Sequence, residues 1–237
     1  MVFGRGKKAK RQESAELEDV QPDATPDPAE NAADDRRANG PFDVSEISSR
    51  DGYVDLGALL IAPREGLQLR LEVEEATQRV VAVTMDLEGS SLQLQAFAAP
   101  RSEGLWDEIR EQIGQSVGGQ GGQVEEIPGD YGVELVAKLP AGAPDGSQGY
   151  RVARFVGVDG PRWFLRGVFG GEAALDREAA AGLEDLFRKI VVIRGENPMP
   201  PRDLLQLRLP KDASGPVPPA APDLQQPERG PEITQIG

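Results

Sequence analysis

The most distinctive run of the chain is Asp159, Gly160, Pro161, Arg162, Trp163, Phe164, Leu165, Arg166, Gly167. On a strand beginning at Arg162, period-two alternation sets Arg162, Phe164 and Arg166 on one face and Trp163, Leu165 and Phe169 on the other. The second set reads as core. An aromatic ring between two guanidinium groups can receive an anionic or peptide partner through charge-assisted hydrogen bonds, and Arg151 and Arg154 lie near enough in sequence to contribute. The plainer alternative is that the arginine stems cover Phe164 while their heads pair with surface acids.

Other chemistries are narrowed by what the chain lacks. It holds no histidine and no cysteine, which excludes Ser-His-Asp triads, Cys-His pairs, imidazole bases, zinc fingers and thiolate clusters. Carboxylates are abundant, but Glu74 with Glu75, Glu125 with Glu126, and Glu184 with Asp185 are sequence neighbours that face different ways. Acid-base work needs two carboxyls across a cleft with their pKa values driven apart, so these pairs read as solvated charges. No loop alternates Asp or Asn up to a closing Glu, as an oxygen-ligand metal site requires. Gly118, Gly119, Gly121 and Gly122 follow a helix instead of leading into one, and no Gly-Lys-Ser or Gly-Lys-Thr comes after them, so they read as a flexible connector and not a phosphate cradle. The expectation is a protein without catalytic residues, cofactor or metal.

Apolar content is uneven along the chain. Residues 1–50 contain two aromatics, Phe3 and Phe42, residues 198–237 contain none, and these tails hold 14 of the 20 prolines. Segments that bury so little apolar surface cannot offset the entropy of ordering their backbone, so both are expected to be disordered. A single globular domain is expected over 51–197, an extended strap over 198–210, and a disordered Pro-rich tail over 211–237.

The net charge of −14 argues against specific nucleic-acid binding by the folded domain, which needs clustered Lys and Arg. Residues 1–11 carry Arg5, Lys7, Lys8, Lys10 and Arg11 without an acid, whereas 12–40 carry nine acids against Arg36 and Arg37. The basic start reads as a solvated terminus, with weak contact to an anionic surface as its functional alternative. No run approaches the ~18 apolar residues of a membrane span, and the chain is expected to stay in the cytoplasm.

The elements that must position the arginines are legible from periodicity. Leu67, Leu69, Leu71 and Val73 alternate with Gln68, Arg70, Glu72 and Glu74, a strand with one buried and one wet face. Val54 to Ile61, Arg79 to Leu87 and Leu92 to Ala98 are further strand candidates, and their short spacings predict an antiparallel meander. Trp106, Ile109, Ile113 and Val117 then recur at helical spacing, with Ser102 where an N-cap would stand. Val124 to Ile127 and Val133 to Leu139 read as a hairpin, residues 140–149 as a loop, and Arg151 to Val158 with Arg162 to Phe169 as a second hairpin. A long second helix is expected from about Ala173 to Arg194, with Leu175, Ala179, Leu183, Leu186, Phe187, Ile190 and Val191 as its apolar stripe.

This order predicts an α+β domain, an antiparallel β-sheet with two main helices packed on it. The ordering is similar to the sandwich of PsbP-like and Mog-type proteins, a resemblance that implies binding more than catalysis. Over roughly 42–210 the chain also resembles the bacterial Domain of Unknown Function 3710 family. Residues 51–58 (Asp-Gly-Tyr-Val-Asp-Leu-Gly-Ala), Asp159 to Gly167 and Pro200 to Pro210 carry that resemblance, which implies no activity, cofactor or catalytic residue. The expected function is a non-enzymatic binding or scaffolding module for a protein partner, contacted through Arg162, Phe164, Arg166, Arg151 and Arg154. The alternative is a small-ligand receptor with a pocket between sheet and helix.

Overall fold

Glu88 and Gly89 turn one long strand into the next with φ of 50° and 78°, a left-handed pair that reverses the chain within two residues. Similar short turns join most of the strands in the computed structural model, which describes residues 36–101, 104–142 and 148–210. In chain order the strands are β1 (Phe42–Asp43), β2 (Val54–Asp55), β3 (Leu59–Ile61), β4 (Gln68–Glu74), β5 (Arg79–Leu87) and β6 (Ser90–Ala98). Helix α1 (Trp106–Gly119) follows, then β7 (Gln123–Gly129), β8 (Gly132–Gly142), β9 (Gln148–Gly160), β10 (Trp163–Gly171), helix α2 (Arg177–Arg188) and β11 (Val191–Val192). Short 3₁₀ turns occupy Val44–Glu46 and Glu172–Ala174.

The long strands form one seven-stranded sheet in the order β4-β5-β6-β10-β9-β8-β7. Every neighbouring pair in it is antiparallel. The short strands form a second sheet, β1-β11-β3-β2, in which β1 runs parallel to β11. The protein is thus mostly sheet. Among the described residues no helix is long and apolar enough to cross a membrane.

Alternation decides which face of the large sheet is covered. Val83, Met85, Leu92, Leu94, Ala96, Val156, Trp163, Leu165 and Phe169 point to one side and join a single apolar cluster. Ala180, Leu183, Leu186 and Phe187 of α2 and Leu59, Ile61 and Val192 of the small sheet complete that cluster. Each fully buried large side chain there contributes about 1.5–3 kcal/mol. Asp176 starts α2 by accepting hydrogen bonds from the amides of Glu178 (2.6 Å) and Ala179 (3.3 Å).

Helix α2 is shorter than its apolar stripe predicts. It begins at Arg177, leaving Leu175 73% exposed, and ends at Arg188, after which Val191 and Val192 form β11 between β1 and β3. The β-branched run Ile190 to Ile193 suits a pleated buried surface better than a fifth helical turn. The loop expected over 140–149 is also smaller, because β8 reaches Gly142 and β9 starts at Gln148.

Residues 198–210 run along the domain. The Leu205 amide donates to Ala96 O (2.9 Å), the Arg208 amide to Leu56 O (2.7 Å), and Asp203 O accepts from the Ala98 amide (2.8 Å). Leu205 and Leu207 are buried in the main core. Gly57, at φ 86°, permits this approach, since a Cβ there would lie 2.8 Å from Arg208 Nε.

The expected disordered start is corrected over part of its length. Residues 36–39 form a helical turn, and β1 and the first 3₁₀ turn follow it. Residues 1–35 and 211–237, including the basic segment 1–11 and most of the acidic segment, lie outside the described residues. Arg36 makes a bidentate ion pair with Glu46 (2.6 and 2.7 Å) and stacks over Trp163 at 5.6 Å. Asp43 caps the 3₁₀ turn, and its Oδ2 accepts from Trp163 Nε1 at 2.9 Å. A stretch poor in apolar residues is therefore held by a cation on an indole face, a bond that hydrophobic content does not register.

The Arg36 hydrogen bond outweighs burial and holds the Glu46 carboxyl below the usual glutamate range. A depressed folded-state pKa contributes stability above the unfolded range that is lost as pH falls through the folded value. Glu46→Gln is therefore expected to flatten the acid limb of the stability profile, measured as urea unfolding at successive pH values below neutrality. An unchanged slope would remove Glu46 from that profile.

Candidate functional site

Phe164, Arg166 and Val168 alternate on β10 toward the side of the large sheet opposite the main core. At the β9–β10 turn that side is covered by α1. Trp106 stacks on Phe164 with ring centroids 6.1 Å apart, Phe97 approaches it at 6.0 Å, and Ile109, Ile113 and Phe155 surround the group. Phe164 has no exposed surface. Gly157 makes the helix approach possible, because a Cβ there would lie 2.3 Å from the Trp106 ring.

Asp159 sets the start of α1. Its carboxylate accepts from the amides of Leu105 (2.7 Å) and Trp106 (3.2 Å), the task expected of Ser102, which lies outside the described residues. Burial pushes the Asp159 carboxyl above the usual aspartate range despite these donors. Trp106 Nε1 in turn donates to Val133 O at 2.7 Å.

Three of the five residues expected to form a partner site do not share it. Arg162 is off the strand, at φ 65° in the turn before β10. It faces Arg194, whose guanidinium pKa is lowered by burial and by Arg162. Phe164 is the floor beneath α1. Arg154 points to the main-core side, 3% exposed, and donates to Glu134 (2.9 Å), Glu184 (2.8 Å) and Ala173 O (3.2 Å) while lying 4.3 Å over the Phe169 ring. Glu184 is thus a buried partner of Arg154 and not the solvated charge its neighbour Asp185 suggests. Arg177 caps the same cluster from outside, 3.5 Å from Glu134.

Arg166 and Arg151 line one hollow from separate places, Arg166 pairing with Gly157, six residues along β9 from Arg151. Beyond the reach of α1, the same face opens into a hollow of about 410 Å³ lined by both, by Arg70, Glu72, Thr84 and Gln93, and by Leu139, Ala153, Phe155 and Val168 among others. Arg70 is held by Asp86 in a bidentate pair (2.5 and 3.0 Å). Glu72 accepts from Thr84 (2.8 Å) and Gln93 (2.7 Å). Arg151 is exposed and makes no ion pair within the described residues. Arg166 donates through Nη2 to Gln95 Oε1 and lies 5.7 Å over Phe97. Its buried Nε has no acceptor among the described residues, and burial lowers its pKa.

Alternation in the sequence assigned Arg70 and Glu72 to a wet face. That this face is concave and shared with Arg151 and Arg166 follows from β6 pairing with β10, a link between strands far apart in the chain. No cluster of three or more acidic side chains able to hold a metal occurs among the described residues.

A family model described as "Protein of unknown function (DUF3710)" matches residues 40–215. The chain belongs to that family. No curated protein matches it. Among solved structures, the solution structure of cyanobacterial PsbP (CyanoP) from Synechocystis sp. PCC 6803 is similar at 14% identity, with a TM-score of 0.33 over 57% of this chain and 87% of that one.

Proposed function

We propose that the protein is a non-enzymatic binding module that recognises a protein partner through the open half of the α1 side of its large sheet. The observation that supports this reading is asymmetry. One side of the sheet is filled by α2, the small sheet and residues 198–210, whereas the other is filled only where α1 lies and elsewhere presents a polar hollow with Arg151 at its mouth. Buried arginines beside exposed ones and apolar floor residues are the composition of a recognition surface. The absence of histidine and cysteine from the chain supports binding over acid-base or nucleophilic catalysis. On this reading the architecture is a layered α+β sandwich with α1 and α2 on opposite sides of the large sheet, and the module works in the cytoplasm. A small-ligand receptor is the second reading, favoured by the concavity of the hollow.

The test uses the full chain as bait. Arg151→Glu inverts an exposed charge at the mouth of the hollow and is expected to reduce retention of a captured partner at least about tenfold, in keeping with loss of a close charge pair. Glu178→Lys, on α2 at the other side of the sheet, is the control. Partners lost with Glu178→Lys and kept with Arg151→Glu would place the interface elsewhere.

A further inference from the structure

We infer that β4 is an interface between two copies of this chain, which join edge to edge by antiparallel pairing of their β4 strands about a two-fold axis at Leu71. The inference goes beyond the binding-module reading and does not rest on it.

The large sheet ends in β4 on one side and in β7 on the other. No described residue pairs with the outer edge of β4, so a row of its amide and carbonyl groups is left for another strand. The strand is built to accept one. It runs seven residues, Gln-Leu-Arg-Leu-Glu-Val-Glu, without proline or glycine. Its register shift against β5 takes the extra residue, Val81, from β5, so β4 itself stays regular. Its core-side row is incompletely covered: Leu69 and Leu71 pack against the main core yet are only half-buried, and Val73 is half-exposed.

Charges on an edge strand discourage association when they meet their like. Those of β4 meet their opposites. In self-pairing about Leu71, Arg70 of each copy faces the partner's Glu72, Gln68 faces the partner's Glu74, Leu69 faces the partner's Val73, and Leu71 faces its own counterpart. Residues directly opposite share a face with Cβ atoms about 4.5–5.5 Å apart, within reach of an ion pair on one face and of apolar contact on the other. Both charges stand ready on the hollow side. Asp86 occupies Nε and Nη2 of Arg70 and leaves Nη1 uncommitted, and Thr84 and Gln93 hold the Glu72 carboxylate in place. A register centred on Glu72 would set that carboxylate against itself. The other edge gives the contrast, because self-pairing at the centre of β7 sets Glu125 or Glu126 against a like charge, and Pro128 removes a donor. A two-fold dimer needs one self-complementary patch, and β4 is that patch.

Sedimentation equilibrium of the full chain tests the inference. The expected result is a concentration-dependent dimer that is lost in Arg70→Glu and in Glu72→Arg and restored when these two variants are mixed in equal amounts. Each variant alone sets like charges across the axis, whereas the mixed pair sets every acid opposite a guanidinium. Glu125→Arg on β7 is expected to leave the dimer unchanged. Val73→Lys changes a side chain that is already half-exposed and is expected to weaken association at least about tenfold. A chain that stays monomeric at every concentration overturns the inference, as does a dimer that persists in both charge variants or is lost in Glu125→Arg. Variants that circular dichroism shows to be folded, yet that do not associate on mixing, overturn it too. Should either charge variant fail to fold, Val73→Lys decides alone, and a dimer of undiminished strength overturns the inference.

Discussion

Arg154→Met is expected to destabilise the protein by about 3–5 kcal/mol, because it strands two buried carboxylates that share one guanidinium. Glu134 is wholly buried, Glu184 is 6% exposed, and Arg154 is bonded to both and to Ala173 O. The cluster links β8, β9 and the middle of α2, so its loss should loosen α2 from the sheet as well as lower the global unfolding free energy. Arg177 is too exposed to replace the missing charge, at 46% of its side-chain surface. Chemical denaturation checks the prediction, and a companion variant separates its parts. Arg154→Met combined with Glu134→Leu and Glu184→Leu removes every stranded charge and is expected to recover most of the loss. If the triple variant is as unstable as the single one, the penalty comes from packing over Phe169 and not from charge.

Phe164→Ala is the second large effect, at about 3–5 kcal/mol for deletion of a fully buried aromatic. Phe164 is the only part of the Leu105, Trp106 and Phe164 cluster contributed by the large sheet, and Phe97 and Phe155 pack against it from neighbouring strands. Its removal leaves a cavity directly beneath α1, and the helix should lose hydrogen-exchange protection before the rest of the domain does. Fluorescence of Trp106 should shift to the red as that ring gains solvent. Were Phe164 a surface anchor between Arg162 and Arg166, the same substitution would leave stability within about half a kcal/mol and alter only partner binding. Measuring unfolding and exchange on one variant therefore decides what this ring is for.

Local periodicity carried a good part of this structure and failed where distant strands meet. The alternation of Leu67, Leu69 and Leu71 packs against the core at and along β4, but Val73, past a register shift after Glu72, is 50% exposed; the helical spacing of Trp106, Ile109, Ile113 and Val117 is the inward stripe of α1. Ile190 and Val191 misled because they also sit at helical spacing from Leu183 and Phe187. What overrides the helix is the gap between β1 and β3 that Val191 and Val192 fill, a fact set by residues more than a hundred positions earlier. Arg154 misled for a similar reason, since the carboxylates that draw it inward come from β8 and α2. Arg166 and Arg151 were visible as candidates by type. Their partners Arg70, Glu72, Thr84 and Gln93 were not, because no local rule states that β4 and β9 will border one hollow.

The pairing of Phe42 and Asp43 with Val191 and Val192 has a consequence for how the protein is made. While the ribosome is still reading the codons for β10, Leu59, Leu60 and Ile61 have been synthesised together with β2 on one side, but β11, their neighbour on the other side, has not. The nascent chain must carry that apolar triplet with its β11 edge open through most of translation, and at 5–20 residues per second the exposure lasts on the order of ten seconds. Closure of the small sheet is thus a late event, governed by arrival of the last segment and by the entropy of joining two ends of one loop. Destabilising β11 should leave a nearly complete body that binds chaperones through Leu59 to Ile61.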